Sequence, residues 1–383
     1  MRKLRLLYLA DPAAIHVQRW LRYFAAEGHS VYLVPYPDSF AFVPPGSLPG
    51  VQVLRPARLL RRFAHLRPGL TPKVLIVANV LCARRTIRRF HIDLLHAHYL
   101  SGNGWIGMLS GFHPFVATAW GSDLNVDPQR SPLYRTLTAH AARRADLLTA
   151  NSEDLCRKLV ALGVEPSRVH LIQGGLELAR FPFVRGNAAL RRSLGIGDGP
   201  VVLSTRMLGA VYNLDVVVAA IPKVLEDVPS AKFVFAYRGT PSQEQALREL
   251  VRNWKVEHAV RLLGPVDNAQ IAGLYHLAEV FVSVPSSEGM PGSLTEAMAC
   301  GAVPVLSDLP YVREWIEPGR NGLVVPVREA GALAEAIVWL LRHPRERGAI
   351  ARRNRMLVEQ KADHRLWMKR VEELYRSLLA AAT

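Results

Sequence analysis

Short apolar runs alternate with longer amphipathic stretches along almost the whole chain. The short runs carry apolar residues at consecutive positions, which is typical of strands that are buried on both faces of a parallel sheet. In the first half of the chain these runs are LRLLYLA, SVYLVP, IDLLHAH, PFVATAW, DLLTA and RVHLI. In the second half they are VVLSTRM, KFVFAY, VRLLG, EVFVSVP, AVPVLS and GLVVP.

The longer stretches have helical periodicity, as in VQRWLRYFAAEGH, which begins at Val17. Strands that alternate with such helices predict an α/β fold. The alternation breaks at the Gly- and Pro-rich segment Phe181–Pro200 and then restarts. We therefore expect two doubly wound, Rossmann-like domains that face each other across a cleft. Their predicted ranges are residues 1–185 and 186–362, and residues 363–383 are expected to form a helix that packs back on the first domain.

Positive charge is concentrated in the first half of the chain. Of the net charge of +16, residues 1–185 carry +13, with 24 Lys and Arg against 11 Asp and Glu. The densest clusters are Arg55–Gly69 and Ala83–Phe90, where arginines are interleaved with apolar residues. Such segments suit an anionic membrane surface or a phosphate-bearing partner, although a solvated basic face stays open. Nucleic acid is disfavoured, because aromatic platforms and a known binding module are missing.

The sequence also argues against several other classes of protein. No apolar stretch reaches the roughly 18–20 residues that a membrane-spanning helix needs, and the apolar run after the basic N-terminus is too short for an exported signal peptide. Cys82, Cys156 and Cys300 form neither a CxxC pair nor a zinc spacing, so a cytoplasmic setting is expected. The absence of a P-loop disfavours a kinase or an ATPase.

A glycine-rich loop after EVFVSVP carries two glutamates. In SSEGMPGSLTEAMACGAVPV, Glu288 lies in the loop and Glu296 in a predicted helix, which has Pro291 in its first turn and ends at Gly301. Ligands of parallel sheets bind beyond the carboxyl ends of the strands, and the amides of a helix start suit phosphate oxygens. The two carboxylates, roughly 6–8 Å apart, can hold hydroxyls on either side of a diphosphate. This arrangement indicates a nucleotide-sugar.

The E-x7-E arrangement EGMPGSLTE, followed by AMACGAVPV, resembles the signature of glycosyltransferase family 4, the retaining enzymes with the GT-B fold. Three further segments resemble segments of that family in the same order: ADLLTANSEDLCRKLVALGVEPSRVHLIQGGLELARF, LLGPVDNAQIAGLYHLAEVFVSVPSSEG and GRNGLVVPV. In the first of them, Glu177 stands where an Asp is more usual. The resemblance implies an enzyme that uses a nucleotide-diphosphate-sugar as a substrate and needs neither a metal ion nor another cofactor.

The resemblance also implies roles for residues of the second domain. Glu288 would contact hydroxyls of the donor sugar, Glu296 would bind the ribose, and Arg206 would offset the negative charge of the diphosphate. The pair Tyr212–Asn213 stands where the family often has Lys-Gly, so one positive contact is missing or comes from elsewhere. The other donor-binding positions implied are the backbone of Met290, Pro291, Gly292 and Ser293.

The first domain, which would bind the acceptor, departs further from the family. The usual His-Gly before an acidic residue reads TAWGSD, with Trp120 in the place of the histidine and Asp123 retained. His98, at the end of the preceding strand, is the candidate replacement near the reacting sugar. His16 and Arg19 join this acceptor side if a helix begins soon after the first strand. Ordinary structural roles for these residues stay open, such as a core tryptophan or a capping aspartate.

Two other functions stay open beside the transferase. GNGWIG, from Gly102 to Gly107, is a GxGxxG pattern with Asp123 about 20 residues further on, which is compatible with an NAD-dependent dehydrogenase. The missing lysine and histidine are compatible with a non-catalytic nucleotide-sugar-binding protein. We favour a glycosyltransferase of cell-surface polysaccharide or glycolipid synthesis. It would act on a glycan or lipid-linked acceptor, in the cytoplasm or on the inner face of the membrane.

Overall fold

The structure, a computed structural model, describes residues 2–35, 48–54, 71–184 and 186–381. The chain divides into two compact units, here called unit 1 and unit 2. Unit 1 comprises Met1–Gly174 together with Leu366–Thr383, and unit 2 comprises Gly175–Arg365. The basic segment Arg55–Gly69 and residue 185, where the composition of the chain changes, lie outside the described residues.

The division between the units falls after Gly174, earlier in the chain than residue 185. The segment that follows belongs to unit 2 because its apolar side chains are buried there. Leu176 and Phe181 lie in one of the cores of unit 2. Leu176 also forms a parallel bridge with Asp363. The Gly- and Pro-rich stretch of the sequence therefore lies inside unit 2.

Unit 1 alternates strands and helices. Its described strands are β1 Arg5–Ala10, β2 Ser30–Pro35, β3 Val51–Val53, β4 Leu94–His98, β5 Phe115–Ala119, β6 Leu147–Ala150 and β7 Val169–Leu171. Its described helices before residue 174 are α1 Ile15–Ala26, α2 Thr71–Phe90, α3 Trp105–Ser110, α4 Ser122–Asn125, α5 Pro132–Arg144 and α6 Glu153–Ala161.

Unit 2 continues the same alternation. Its described strands are β8 Val201–Ser204, β9 Lys232–Ala236, β10 Val260–Gly264, β11 Val280–Ser283, β12 Val303–Ser307 and β13 Leu323–Val325. Its described helices are α7 Ala188–Ser193, α8 Leu214–Asp227, α9 Pro241–Asn253, α10 Asn268–Leu277, α11 Gly292–Cys300, α12 Ala330–Arg342 and α13 Pro344–Lys361. The C-terminal helix α14, His364–Ala381, begins at the end of unit 2.

Each unit is built on one parallel sheet. The described strands of unit 1 form a seven-stranded sheet in the order β3-β2-β1-β4-β5-β6-β7, and those of unit 2 form a six-stranded sheet in the order β10-β9-β8-β11-β12-β13. The α/β class is therefore confirmed, and every apolar run predicted as a strand contains one. The strand β3 was missed.

The strand order of each sheet reverses near its centre, between β1 and β4 in unit 1 and between β8 and β11 in unit 2. Loops that follow the two strands at such a switch point diverge, and ligands bind in the crevice between them. Helices cover both faces of each sheet, and the apolar residues of the strands form two cores in each unit. The sheets thus define one place in each unit where a ligand site is expected.

The C-terminal helix α14 packs into unit 1. Met368, Val371 and Tyr375 lie on one face of this helix and are fully buried in a core of unit 1. The ring of Tyr375 stacks on Phe24 of α1, with ring centroids 5.3 Å apart. This helix therefore closes one face of the unit 1 sheet.

The longest described helix, α2, has 20 residues and carries Arg88 and Arg89 in its last turn. Across the described residues, no helix combines the length and the apolar character that crossing a bilayer requires.

Candidate active site

The switch point of the unit 2 sheet brings together Arg206, after β8, and Glu288, after β11. Arg206 donates a hydrogen bond to the Glu288 carboxylate. Its Nη1 also donates to Oγ of Ser293, in the first turn of α11, at 2.9 Å. The side chains of Arg206 and Glu288 are only 9% and 16% exposed. Two residues expected from the sequence to bind the donor therefore contact each other.

Burial dominates the electrostatics of this ion pair. Burial raises the pKa of the Glu288 carboxyl, and the Arg206 guanidinium offsets only part of that effect. Tyr212 packs beside the pair, with its ring centroid 4.8 Å from the guanidinium carbon of Arg206. Among the described residues, neither Oε2 of Glu288 nor the buried hydroxyl of Tyr311 has a hydrogen-bond partner. The site therefore has unused hydrogen-bonding capacity beside a fixed positive charge.

Helix α11 starts at this ion pair. Pro291 is its N-cap, with extended backbone, and no side chain caps its first turn. Pro291 thus lies one position before the turn in which the sequence placed it, while Gly301 ends the helix in the left-handed conformation, as predicted. Met290 is buried under the turn and Gly292 is exposed. The uncapped amides of the first turn suit an anion.

Glu296 lies one turn into α11 and is held by Tyr275 of α10. The Tyr275 hydroxyl donates to Oε2 of Glu296 at 3.3 Å and lies 3.2 Å from Oγ1 of Thr205, the residue before Arg206. Tyr275 is almost fully buried. Sequence reasoning missed Tyr275 and Thr205. Thr205 follows β8 and Tyr275 lies on α10. In the sequence, these positions are only weak indications of a role in the site.

Asn213 ties the loops of this site together. It adopts the left-handed conformation, with φ 50° and ψ 43°, which asparagine tolerates better than most residues. Its side-chain amide donates to Val284 O at 2.9 Å and to Ser286 Oγ at 2.8 Å, in the loop that carries Glu288. Arg328 donates to Oδ1 of Asn213 at 2.9 Å. The visible role of Asn213 is therefore to position the loop, and its expected contact with the donor stays a prediction.

The switch point of the unit 1 sheet carries a cluster of aromatic rings. His98 is the last residue of β4, and Trp120 directly follows β5. The Trp120 indole N–H donates to Nδ1 of His98 at 3.1 Å. His16, in the first turn of α1, packs on Trp120 with ring centroids 4.0 Å apart. Helix α1 begins at Ile15, two residues before the helical stretch that the sequence indicated.

Burial keeps the histidines of this cluster neutral. Burial, and after it the charge of Arg19, lowers the pKa of His16 to about 3. Burial also lowers the pKa of His98 well below its ordinary value, with the neighbouring His96 and His16 adding to the effect. In the part of the chain that the structure describes, Nε2 of His16 and Nε2 of His98 are buried without a hydrogen-bond partner.

Asp123 is occupied by backbone amides. Its carboxylate accepts hydrogen bonds from the N–H groups of Leu100 at 2.9 Å, Gly121 at 2.9 Å and Trp120 at 3.2 Å. Burial raises its pKa to about 6 against the effect of these bonds. Asp123 therefore joins the loop after β5 to the loop after β4. Its expected role toward an acceptor stays a prediction.

The GxGxxG pattern Gly102–Gly107 has a packing explanation. It follows β4, the fourth described strand of unit 1, and leads into α3. A Cβ atom on Gly107 would lie 2.4 Å from the ring of Phe115, so this glycine allows close contact between helix and strand. Asp123, the acidic residue that a dinucleotide would need, is already bonded to backbone. The pattern therefore gives no support to a dehydrogenase.

Among the described residues, the three cysteines form no disulfide, and Cys300 is buried. Within residues 2–35, 48–54, 71–184 and 186–381, no group of three or more His, Cys, Asp and Glu side chains could hold a metal ion.

Two parallel sheets, each with a central switch point, and an ion pair at a helix start are features that GT-B glycosyltransferases share. A family model described as Glycosyltransferase Family 4 matches residues 13–180, and one described as Glycosyl transferases group 1 matches residues 199–343. The chain belongs to this glycosyltransferase family and is a sugar-transferring enzyme.

Curated relatives are similar over most of their length. The D-inositol 3-phosphate glycosyltransferase of Kineococcus radiotolerans is 29% identical over 304 residues, which cover 72% of this chain and 69% of the relative. The D-inositol 3-phosphate glycosyltransferase 2 of Catenulispora acidiphila is 28% identical over 325 residues, which cover 78% of this chain and 76% of the relative.

Solved structures share the fold at lower identity. Sucrose-phosphate synthase from Thermosynechococcus elongatus superposes with a TM-score of 0.81 at 20% identity, covering 98% of this chain and 100% of that structure. Anabaena HepE in complex with UDP and glucose superposes with a TM-score of 0.80 at 17% identity, with the same coverage. These likenesses establish the GT-B fold.

Proposed function

We propose that this enzyme moves a hexose-type sugar from a nucleotide-diphosphate-sugar to an acceptor hydroxyl, with retention of configuration at the anomeric carbon. The observation that carries the proposal is the contact of Arg206 with Glu288 and Ser293 at the uncapped start of α11, with Glu296 one turn further on. A guanidinium and the amides of a helix start without a side-chain cap suit a diphosphate, and flanking carboxylates suit the polyols on either side of it. The solved complex of HepE with UDP and glucose adds support from a protein of the same fold.

In the proposed mechanism, the donor diphosphate becomes the partner of Arg206. Glu288 is then free to accept hydrogen bonds from the sugar hydroxyls, and Glu296, held by Tyr275, accepts them from the ribose. Arg206 and the α11 amides offset the charge that builds on the leaving diphosphate. The leaving phosphate oxygen takes the proton of the acceptor on the same face of the sugar, so no strong base is required. Neither a metal ion nor another cofactor takes part in the proposed transfer.

Unit 1 is proposed to bind the acceptor through His98, His16 and Trp120. Two relatives are named for D-inositol 3-phosphate, which makes this polyol phosphate the first acceptor to test. A glycan or lipid-linked acceptor is the broader class that we propose, within cell-surface polysaccharide or glycolipid synthesis.

Helix α2 supports a site of action on the inner face of a membrane. Val77 and Leu81, one turn apart, are 59% and 52% exposed, and Arg85 and Arg88 are exposed further along the same face. Apolar side chains flanked by arginines suit the interface of an anionic bilayer. We therefore propose a cytoplasmic enzyme that associates peripherally with such a surface.

A ligand panel tests the donor proposal. The melting temperatures of the wild-type protein and of the Glu296→Ala variant are measured with UDP-, GDP- or ADP-glucose, and with NAD or NADP. We expect one nucleotide-sugar to stabilise the wild type and to lose its effect in Glu296→Ala. Stabilisation by NAD or NADP alone would refute the proposal in favour of a dehydrogenase.

Transfer is then followed by NMR with the selected donor and an acceptor panel that contains D-inositol 3-phosphate and lipid-linked glycans. We expect a product with the anomeric configuration of the donor. An inverted product would refute retention. Donor binding without hydrolysis or transfer under any condition would indicate a non-catalytic binder.

Liposome flotation tests the membrane proposal. Wild type and the double variant Leu81→Gln with Arg88→Gln are mixed with vesicles of neutral lipid, with and without anionic lipid. We expect the wild type to bind only the anionic vesicles and the variant to bind them less. Binding that does not depend on anionic lipid would refute the proposed association with an anionic membrane surface.

A further inference from the structure

The contact between Trp120 and His98 determines which ring nitrogen of His98 carries the proton. The Trp120 indole nitrogen can only donate, and it lies 3.1 Å from Nδ1 of His98. Nδ1 must therefore offer its lone pair. In the neutral ring the remaining proton then lies on Nε2. The two rings are nearly parallel, at 15° with centroids 5.8 Å apart, so stacking holds the orientation that the hydrogen bond requires.

The Nε2–H group of His98 has no assigned use within the fold. His98 is fully buried, and among the described residues Nε2 has no hydrogen-bond partner. Its nearest ring neighbour is His96, which stacks on it at 26° with centroids 4.5 Å apart, and Trp20 meets it edge-on at 85° with centroids 4.9 Å apart. Buried donors in native proteins are nearly always paired, and an exception calls for a functional explanation.

We infer that Trp120 is a positioning residue that fixes His98 in the Nε2–H tautomer, so that His98 donates a hydrogen bond to a sugar hydroxyl at the unit 1 switch point. This inference rests on the proposed function. In this inference the indole of Trp120 does not itself bind the sugar. It sets the protonation of the imidazole one strand away instead.

The surroundings of His98 favour a hydroxyl over a phosphate as the acceptor of this hydrogen bond. The rings of Tyr8, Trp20 and Trp120 lie against the imidazole, with centroids 4.9 to 5.8 Å away. A neutral donor among aromatic rings matches a neutral oxygen, whereas a phosphate is held by charged donors and backbone amides. Sugar hydroxyls occur on both the donor and the acceptor, and the experiment has to separate these sources.

NMR of the ligand-free protein tests the tautomer without any ligand. In protein labelled with 15N-histidine, the two ring nitrogens of a neutral imidazole have well-separated shifts, and only the protonated one is bonded to hydrogen. We expect His98 to be protonated at Nε2 in wild type. Trp120→Phe should give a mixture of tautomers, because phenylalanine keeps the stacking and removes the N–H.

The matched control is Trp20→Phe. Trp20 packs on His98, but its own N–H makes no hydrogen bond to the described residues. The variant Trp20→Phe should therefore leave the tautomer of His98 unchanged. Protonation of Nδ1 in wild type would overturn the inference, and so would a fixed Nε2–H tautomer in Trp120→Phe.

Variants of His98 test the hydrogen bond to the sugar. Glutamine places an N–H near the position of Nε2, while asparagine reaches only the position of Nδ1. UDP-glucose, or the GDP or ADP counterpart that the panel selects, is titrated in parallel with its free nucleotide diphosphate and with D-inositol 3-phosphate. We expect His98→Asn to weaken the binding of one sugar ligand by about 10-fold, and His98→Gln to restore most of it, while the free nucleotide is unaffected.

The ligand that responds identifies the source of the hydroxyl. A loss confined to the nucleotide-sugar assigns it to the donor, and a loss confined to the inositol phosphate assigns it to the acceptor. Equal affinities of His98→Asn and His98→Gln for both ligands would overturn the inference. If no nucleotide-sugar binds to the wild type, the proposed function fails, and the NMR result on the tautomer still stands by itself.

Discussion

Arg206 and Glu288 form a buried ion pair between the loops that follow β8 and β11. The pair lies at the switch point of the unit 2 sheet, and Arg206 also reaches Ser293 at the start of α11. Glu288 thus pairs with the guanidinium that is proposed to bind the diphosphate. An arginine held in this way is already oriented when the phosphate arrives, so little further ordering is needed on binding.

Removal of the Arg206 guanidinium should weaken the binding of the nucleotide diphosphate. A charge-assisted hydrogen bond contributes about 1.5–3 kcal/mol, so we expect Arg206→Ala to lose roughly 10- to 100-fold in affinity. Arg206→Lys should lose less, because it keeps the charge without the planar fork. Calorimetric titration measures the affinities. Arg313→Ala is the control, since Arg313 forms an exposed ion pair with Asp308, and an equal loss in this control would contradict the assignment.

The Tyr275 hydroxyl should matter only because it orients Glu296. We expect Tyr275→Phe to weaken nucleotide binding by about 3- to 10-fold, because the hydroxyl acts only through the orientation of Glu296, and Glu296→Gln to weaken it further. Neither variant should weaken the binding of a 2′-deoxy nucleotide as much, because the ribose hydroxyl is already missing. Tyr32→Phe, in β2 of unit 1, serves as the control. An equal loss of affinity for the 2′-deoxy nucleotide would show that Glu296 does not bind the ribose hydroxyl.

Acid should destabilise unit 1 through its buried histidines. Burial lowers the pKa of His96 from the ordinary 6.5 to about 3. Between these two pH values His96 is mostly protonated in the unfolded chain and mostly neutral in the folded chain. Stability is therefore lost as the pH falls, by about 2 kcal/mol for one such histidine between pH 7 and pH 5. We expect His96→Gln to lose about 2 kcal/mol less than wild type over this range. Urea unfolding at the two pH values measures the difference, and equal losses would refute the account.

Gly107 should not tolerate a side chain, because its role is packing. A Cβ atom there would meet the ring of Phe115 at 2.4 Å, and overpacking of this kind costs about 1–3 kcal/mol. At Gly331, near the start of α12, a Cβ atom would have no described neighbour within 4 Å, so Gly331→Ala should be neutral or stabilising by up to about 1 kcal/mol. Thermal melting compares the two variants. If the Gly107→Ala protein were as stable as wild type, close packing against Phe115 would not explain the glycine at this position.

The strands and the donor loop could be predicted because their signals are local. The runs that became β8 and β11 are apolar at consecutive positions, and the glycines beside Glu288 mark a loop before a helix. Gly301 likewise ended α11 where the sequence placed it. In each case a few neighbouring residues decide the backbone, so a single sequence is sufficient.

The contacts that complete the two sites could not be predicted from the sequence. Arg206 and Glu288 are 82 positions apart, and Trp120 and His98 are 22 positions apart on separate strands. The sequence places each of them at a strand end but does not determine which side chains meet. Asp123 shows the same limit, since its spacing fits a nucleotide-binding acid while its oxygens are occupied by backbone amides of two loops.

A crystal structure of the enzyme with the nucleotide diphosphate that the panel selects tests the central claim most directly. We expect the diphosphate on Arg206 and the first-turn amides of α11, with the ribose hydroxyls on Glu296. A diphosphate bound elsewhere, with the ion pair between Arg206 and Glu288 unchanged, would contradict it.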